Sequence, residues 1–246
     1  MAANTAVDAS HVESNPHYDK GMSSFSLLDR AIYAFVMAVL WVFSKIMWRW
    51  NFEDADKLHD GVNGSVIICN HTSMAEVLPI VTHLWAMGRR VRPIFKSEFN
   101  KTGIVRWAFA LAGGIPVDRG TADLSALRAA QHALQRGEDI LIFPEGTRIR
   151  SDEQPVELHG GFALIAQMGK APIAPMAVCG FRDITPLGKK VMRPMKCWMR
   201  AGDLVRLEDA PEGMKRRERT QWVEDEALRR MFEIRDALRV EHPGRH

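Results

Sequence analysis

Cysteine is scarce in this chain: Cys69, Cys179 and Cys197 are the only three among 246 residues. An odd number excludes complete pairing in disulfides, and the spacings match no metal-ligand pattern, so the expected metal set is none. A reducing, cytosolic setting is the expectation for the folded part. No Gly-x-Ser-x-Gly elbow is present, which removes local support for a serine-hydrolase route through an acyl-enzyme. No glycine-rich loop of the Walker or dinucleotide type is present either. Internal repeats and low-complexity linkers are lacking, which argues against a solenoid. Neither sign of charge dominates: 33 basic residues face 30 acidic ones. The resulting net charge of +3 gives no reason to expect nucleic acid as a partner.

The 46% hydrophobic content supports a sizeable core. Residues 1–24 are polar and without an apolar period, and read as a disordered tail. Residues 25–50 read as a membrane-associated helical segment. Fourteen residues from Ala31 to Ser44 carry no charge. That is short of the roughly 20 needed to span a bilayer. Lys45, Trp41, Trp48, Trp50, Arg30 and Arg49 flank or interrupt the run. Such residues suit an interface, with the lysine stem snorkelling. A monotopic, membrane-seated helix is expected, the alternative being a core helix.

Residues 51–246 read as one domain. Short apolar runs at 65–69, 91–95, 115–117, 139–143, 172–178 and 195–201 are expected strands. Helical patterns near 74–87, 100–112, 122–136, 160–169 and 218–240 separate them. Strands separated by helices predict an α/β fold, a mainly parallel sheet flanked by helices. Pro172 and Pro175 make 172–175 read as an edge strand or a bend. The last helix places Val223, Ala227, Met231, Ile234 and Leu238 on one face, expected to pack on the domain. Two basic clusters, Arg89-Arg90-x-Arg92 with Lys96, and Lys189 to Arg200, read as solvated faces or as contacts to anionic head groups or phosphates.

His71 and Glu76 carry the first chemical signal. Five helical residues turn through about 500°, so on one helix the two side chains diverge. They meet only if His71 stands in the loop ahead of the helix. Ser73 followed by Glu76 is a capping-box spacing, which starts the helix there and gives Glu76 a competing, purely structural role. If they meet, the imidazole is a general base and the carboxylate fixes its tautomer. Cys69, two residues earlier, reads either as a thiol partner of His71 or as a small core residue.

Phe143-Pro144-Glu145-Gly146-Thr147-Arg148 follows an apolar strand, at the end where open α/β sheets place ligands. Gly146 permits a tight turn, Thr147 offers a hydroxyl and Arg148 a bidentate phosphate donor. Another short strand, Ile115-Pro-Val117, ends in Asp118-Arg119.

In this order, Asn70-His71-x4-Glu76, Val117-Asp118-Arg119, Phe143 to Arg148 and the proline-flanked 172–175 resemble the four motifs of the glycerolipid acyltransferase superfamily, in particular 1-acylglycerol-3-phosphate acyltransferases. The resemblance covers roughly residues 60–205. Glu76 stands where that family has aspartate, and His159 stands near a common lysine. The resemblance implies transfer of a fatty acyl group from acyl-CoA or acyl carrier protein to the hydroxyl of lysophosphatidate, giving phosphatidate. The thioester donor is a substrate, and no cofactor is implied. His71 and Glu76 are the implied catalytic pair. Lys96, Arg119, Glu145, Gly146, Thr147 and Arg148 are the implied acceptor contacts, Glu145 toward a hydroxyl or a basic neighbour. Membrane lipids and the cytosolic membrane face complete the expectation. Open alternatives are another lysophospholipid or an amino-acid lysolipid as acceptor, a catalytically silent lipid-binding homologue, and a Cys69–His71 thiol hydrolase.

Overall fold

The computed structural model describes residues 20–61, 64–97, 112–117, 123–185, 189 and 191–246. Seven strands form one sheet: β1 (Asn51–Glu53), β2 (Val66–Cys69), β3 (Val91–Lys96), β4 (Ile115–Val117), β5 (Asp139–Ile142), β6 (Ile173–Cys179) and β7 (Trp198–Ala201). Their order is β1-β7-β6-β2-β5-β3-β4. Every pairing is parallel except β6 with β7. The helices are α1 (Leu27–Trp48), α2 (Val77–Ala86), α3 (Leu124–Gln135), α4 (Gly161–Gly169) and α5 (Arg216–Glu241). The α/β reading holds. The helix expected at 100–112 lies almost wholly outside the described residues. β1, three residues with polar ends, carries no alternation and was not expected.

Alternation along β2 builds the layers. Ile67 and Cys69 face a core shared with α1 and α2, while Val66 and Ile68 face α3, α4 and α5. Both faces of the strand are therefore buried, as a parallel sheet between two helical layers requires. The stripe on α5 packs inward through Val223, Ala227, Met231 and Leu238.

β6 corrects the edge-strand expectation: it lies between β2 and β7 and is buried along its whole length. Two details accommodate its prolines. Pro172 precedes the strand, and its carbonyl accepts from Val66. At Pro175 the backbone faces β7, where the register slips by one residue between Ile173↔Val205 and Met176↔Ala201. The Pro175 carbonyl still accepts from Gly202, and the missing N–H falls at the bulge.

The helix α1 is 22 residues long, with mean hydropathy 1.8, long and apolar enough to cross a membrane by those measures. It extends the charge-free run on both sides, starting at the Ser26 cap. One stripe, Tyr33, Met37, Ser44 and Trp48, is buried against the domain. Tyr33 is within electrostatic reach of Arg90 and Glu138, near the amino ends of β3 and β5. Trp48 meets Phe181 edge-on, just beyond the carboxyl end of β6. So α1 lies along the full height of the sheet, while Phe35, Val39, Val42, Phe43 and Ile46 face outward. Lys45 does not snorkel away: its Nζ donates to the Trp50 carbonyl at 2.7 Å and sits over the Trp50 ring.

Of the stretch expected as tail, residues 1–24, the described part is 20–24, and it packs on the domain. Met22–Ser24 form a 3-10 turn, and the Lys20 carbonyl accepts from Arg90 and Arg92. These arginines are not a lipid surface. Arg90 and Arg92 pair with Glu138, and Arg89 with Asp139. They lie at the end of the sheet away from the His71 loop. Their acidic partners come from a turn some fifty residues later, so the local sequence hid them.

Candidate active site

β2 and β5 are parallel neighbours, so the loops after Cys69 and after Ile142 emerge side by side. The first loop carries His71 ahead of the helix. Ser73 caps a 3-10 turn, Met74–Glu76, which runs into α2. Glu76 turns back under the loop and is fully buried. Its Oε1 lies 2.6 Å from His71 Nδ1. Its Oε2 accepts from the Thr72 hydroxyl at 2.8 Å and from the Ser73 amide at 2.9 Å. The Thr72 amide bonds both oxygens. Capping and pairing with histidine therefore coexist, one on each carboxylate oxygen. The extra methylene of glutamate does not prevent the contact.

A carboxylate only accepts, so the proton between them belongs to Nδ1. In the neutral imidazole Nε2 is then the nitrogen free to accept, on the far side of a ring whose side chain is 12% exposed. That is the arrangement of a general base with its orienting partner.

The second loop holds His71 from three sides. The His71 amide donates to Glu145 Oε2 at 2.6 Å. The His71 carbonyl accepts from the Ile149 amide at 2.7 Å. The Phe143 ring stacks on the imidazole at 4.2 Å between centroids. Gly146, at φ +59°, makes the turn that returns the chain for this, with its amide on the Phe143 carbonyl. Asn70 ties the first loop to β6, exchanging hydrogen bonds with the Val178 amide and carbonyl. The motifs assign no role to Asn70 or Phe143; the signal for both is position, next to His71 and at the end of β5.

Glu145 is buried and its carboxylate accepts from the His71 amide, while the residue also lines a second, smaller cleft with Arg235 and Arg239. Burial, chiefly, raises its carboxyl from the ordinary 4.5 to about 6, with Glu76 adding to the rise and the His71 amide opposing it. The folded state therefore holds this proton more tightly than the unfolded chain. The associated stability is complete below about pH 4.5 and is lost as pH rises through about 6. The shift corresponds to about 2 kcal/mol. Glu145→Gln keeps an acceptor for the His71 amide and does not titrate. In urea unfolding, its stability relative to wild type is expected to improve by up to about 2 kcal/mol between pH 4.5 and 7. Parallel pH profiles for the two proteins would refute this account.

Cys69 is no partner for His71. It lies inside β2 at zero exposure, its Sγ is within hydrogen-bonding distance of the Asn70 carbonyl, and burial pushes its thiol well up. The strand β2 ends at Cys69, and His71 already stands in the loop beyond it.

Beside the Thr72–Met74 backbone opens a cleft of about 540 Å³. Arg148 lines it, together with Arg150, Arg182, Lys189 and Arg193, and among the described residues Asp183 is the one acid in its walls. Of these cations, sequence reasoning assigned only Arg148 to the site. Lys189 and Arg193 belonged to a recognised basic cluster, but Arg150 and Arg182 had no local signal. Other members of that cluster go elsewhere: Arg200 pairs with Glu53 and Glu241, and Lys196 sits over Trp198. Thr147 is exposed on the turn. Lys96 ends β3, beyond β5, and is not part of the cleft wall. Arg119 and Asp118 lie outside the described residues. His159 is exposed, and its amide holds the Pro144 carbonyl.

A family model described as Acyltransferase matches residues 49–179. A chloroplastic 1-acyl-sn-glycerol-3-phosphate acyltransferase of Arabidopsis thaliana is 25% identical over 158 residues, 63% of this chain and 43% of that protein. The 1-acyl-sn-glycerol-3-phosphate acyltransferase of Bacillus subtilis is 31% identical over 128 residues, 52% of this chain and 62% of that one. The chain spans about half the length of the curated relatives it matches. The crystal structure of the 1-acyl-sn-glycerophosphate (LPA) acyltransferase of Thermotoga maritima shares the fold, with TM-score 0.60 at 22% identity over 83% of this chain and 81% of that one. The matched segment is more than half of the sequence and contains both loops that build the His71 site; the chain belongs to the acyltransferase family.

Proposed function

We propose that this protein transfers a fatty acyl group from a thioester, acyl-CoA or acyl carrier protein, to the free hydroxyl of lysophosphatidate, giving phosphatidate. The observation that carries this reading is the His71–Glu76 contact of 2.6 Å in a loop that opens onto a cationic cleft. Relatives named as acyltransferases acting on 1-acyl-glycerol-3-phosphate support the choice of acceptor. In the reaction, His71 Nε2 takes the hydroxyl proton as the acceptor oxygen attacks the thioester carbonyl carbon. The carbon–sulfur bond then breaks, and the leaving thiolate takes the proton from His71. No acyl-enzyme forms. Glu76 holds the Nδ1 proton and stabilises the imidazolium between the two steps. Arg148 holds the acceptor phosphate near the base. Lys96 and Arg119 are the further acceptor contacts that the sequence motifs suggest.

The outward apolar face of α1 seats the domain on the cytosolic side of a membrane. A helix that buries one stripe, from Tyr33 to Trp48, against the domain favours a monotopic seat over a span. The test is a transfer assay with lysophosphatidate and each donor in turn, products identified by mass. Phosphatidate formed with one thiol released per acyl group is expected. Thiol release without lipid product, or acylation of other lysolipids only, would overturn the assignment.

A further inference from the structure

We propose that Arg150, Lys189 and Arg193 form a second phosphate subsite, which takes the nucleotide end of a coenzyme A thioester. The inference rests on the transfer reaction proposed above and names its donor.

The first argument is a surplus of charge. A phosphomonoester carries about −1.5 to −2 charges at neutral pH. Arg148 with one neighbour balances that, yet the cleft supplies five cations. Arg182 is engaged by Asp152, at 3.0 and 3.3 Å. Asp183, the acid in the wall, accepts from the His246 amide. Arg148, Arg150 and Lys189 form no ion pair with any described acid, and Arg193 meets only backbone carbonyls, of Asp183 and Ile184. Four cations without a paired acid among the described residues, gathered in one concavity, call for a ligand bearing more than one phosphate.

The second argument is position. Thr72 and Ser73, which follow His71 in the chain, line the same cleft as the cations, so one ligand can reach both the base and the basic walls. Coenzyme A has its thiol at one end and a diphosphate and a 3′-phosphate at the other, which suits a cleft of that make-up. A cleft of about 540 Å³ is of small-molecule size, and it is concave. A carrier protein offers a convex acidic surface and a single phosphodiester, and uses neither the depth nor the charge. Met74 and Met192 add apolar contact for the linking arm.

The third argument is where these residues fall in the chain. Lys189 and Arg193 come after residue 179, where the family match ends. They are equipment of this chain beyond the matched segment, brought to the site by the segment between β6 and β7.

The test uses the full chain in mixed micelles. Arg150→Ala/Arg193→Ala is expected to raise the KM for palmitoyl-CoA by about tenfold or more, the worth of one charge-assisted contact. The KM for lysophosphatidate stays within about twofold, and Arg150→Lys/Arg193→Lys restores most of the donor affinity. Adenosine 3′,5′-bisphosphate competes with palmitoyl-CoA in wild type and loses about tenfold in affinity in the double alanine variant. A rise in the lysophosphatidate KM instead would assign these cations to the acceptor, and a rise confined to acyl carrier protein would make them a carrier-docking surface; either overturns the proposal. Calorimetric titration of adenosine 3′,5′-bisphosphate separates the two claims. Binding without any transfer upholds the subsite and refutes the reaction, whereas transfer without binding refutes the subsite alone.

Discussion

His71→Ala is expected to lower kcat/KM for phosphatidate formation by at least about 10²–10⁴-fold, the usual worth of a positioned general base. The loss should appear in kcat with little change in KM for either substrate, because the imidazole touches the reacting hydroxyl and none of the cationic contacts. The fold should survive. Glu76 keeps the Thr72 and Ser73 amides and the Thr72 hydroxyl as donors, so its carboxylate is not stranded. The peptide of residue 71 keeps Glu145 and Ile149 as partners whatever side chain it bears. What is lost is the stack on Phe143 and one hydrogen bond, a cost of about 1–2 kcal/mol. A urea midpoint close to wild type with absent turnover is the predicted combination. Near-normal turnover in this variant would end the case for His71 as the base.

The sheet was legible because its strands are short apolar runs set between helical periods, and both faces of a parallel strand must be apolar. β6 shows the limit of that reading. Its prolines argue for an edge when each strand is taken alone; the bulge opposite Pro175 depends on β7, which no local pattern reveals. The arginines of residues 89–92 fail in the same way. Their counter-charges, Glu138 and Asp139, sit where a turn leads into β5, which becomes a neighbour only through the parallel pairing of β3 with β5.

The site divides along the same line. The His71 loop was readable from spacing, because helix geometry forbids the contact unless the histidine precedes the helix. What holds that loop was not. Glu145 carries a motif position that suggests ligand contact, yet its carboxylate serves the backbone of His71 across seventy-four residues. The cleft was half readable: Arg148 follows a recognisable turn, whereas Arg150 and Arg182 gain meaning only when the loops after β2, β5 and β6 converge.

Glu76→Gln should cost more than loss of charge alone implies. Oε2 serves three donors, the Thr72 amide and hydroxyl and the Ser73 amide. The single carbonyl oxygen of glutamine is drawn to that side. Its NH2 group then faces His71 Nδ1 and needs an acceptor there. The imidazole answers by moving its proton to Nε2, the nitrogen that must be free to take the hydroxyl proton. The site is then complete in shape and wrong in tautomer. The equivalent change in serine-protease triads lowers kcat by about 10⁴-fold, and a loss of about 10³–10⁴ is expected here. Glu76→Asp keeps two acceptor oxygens and the charge, and should hold turnover within about tenfold of wild type while weakening the cap by about 1 kcal/mol. Kinetics and urea unfolding on both variants distinguish the roles. If glutamine and aspartate variants both turn over like wild type and differ only in stability, Glu76 is a cap and nothing more. If the glutamine variant alone is inactive at near-native stability, the carboxylate acts through the proton on Nδ1. The 2.6 Å contact and the three donors on the opposite oxygen then account for why one residue does both.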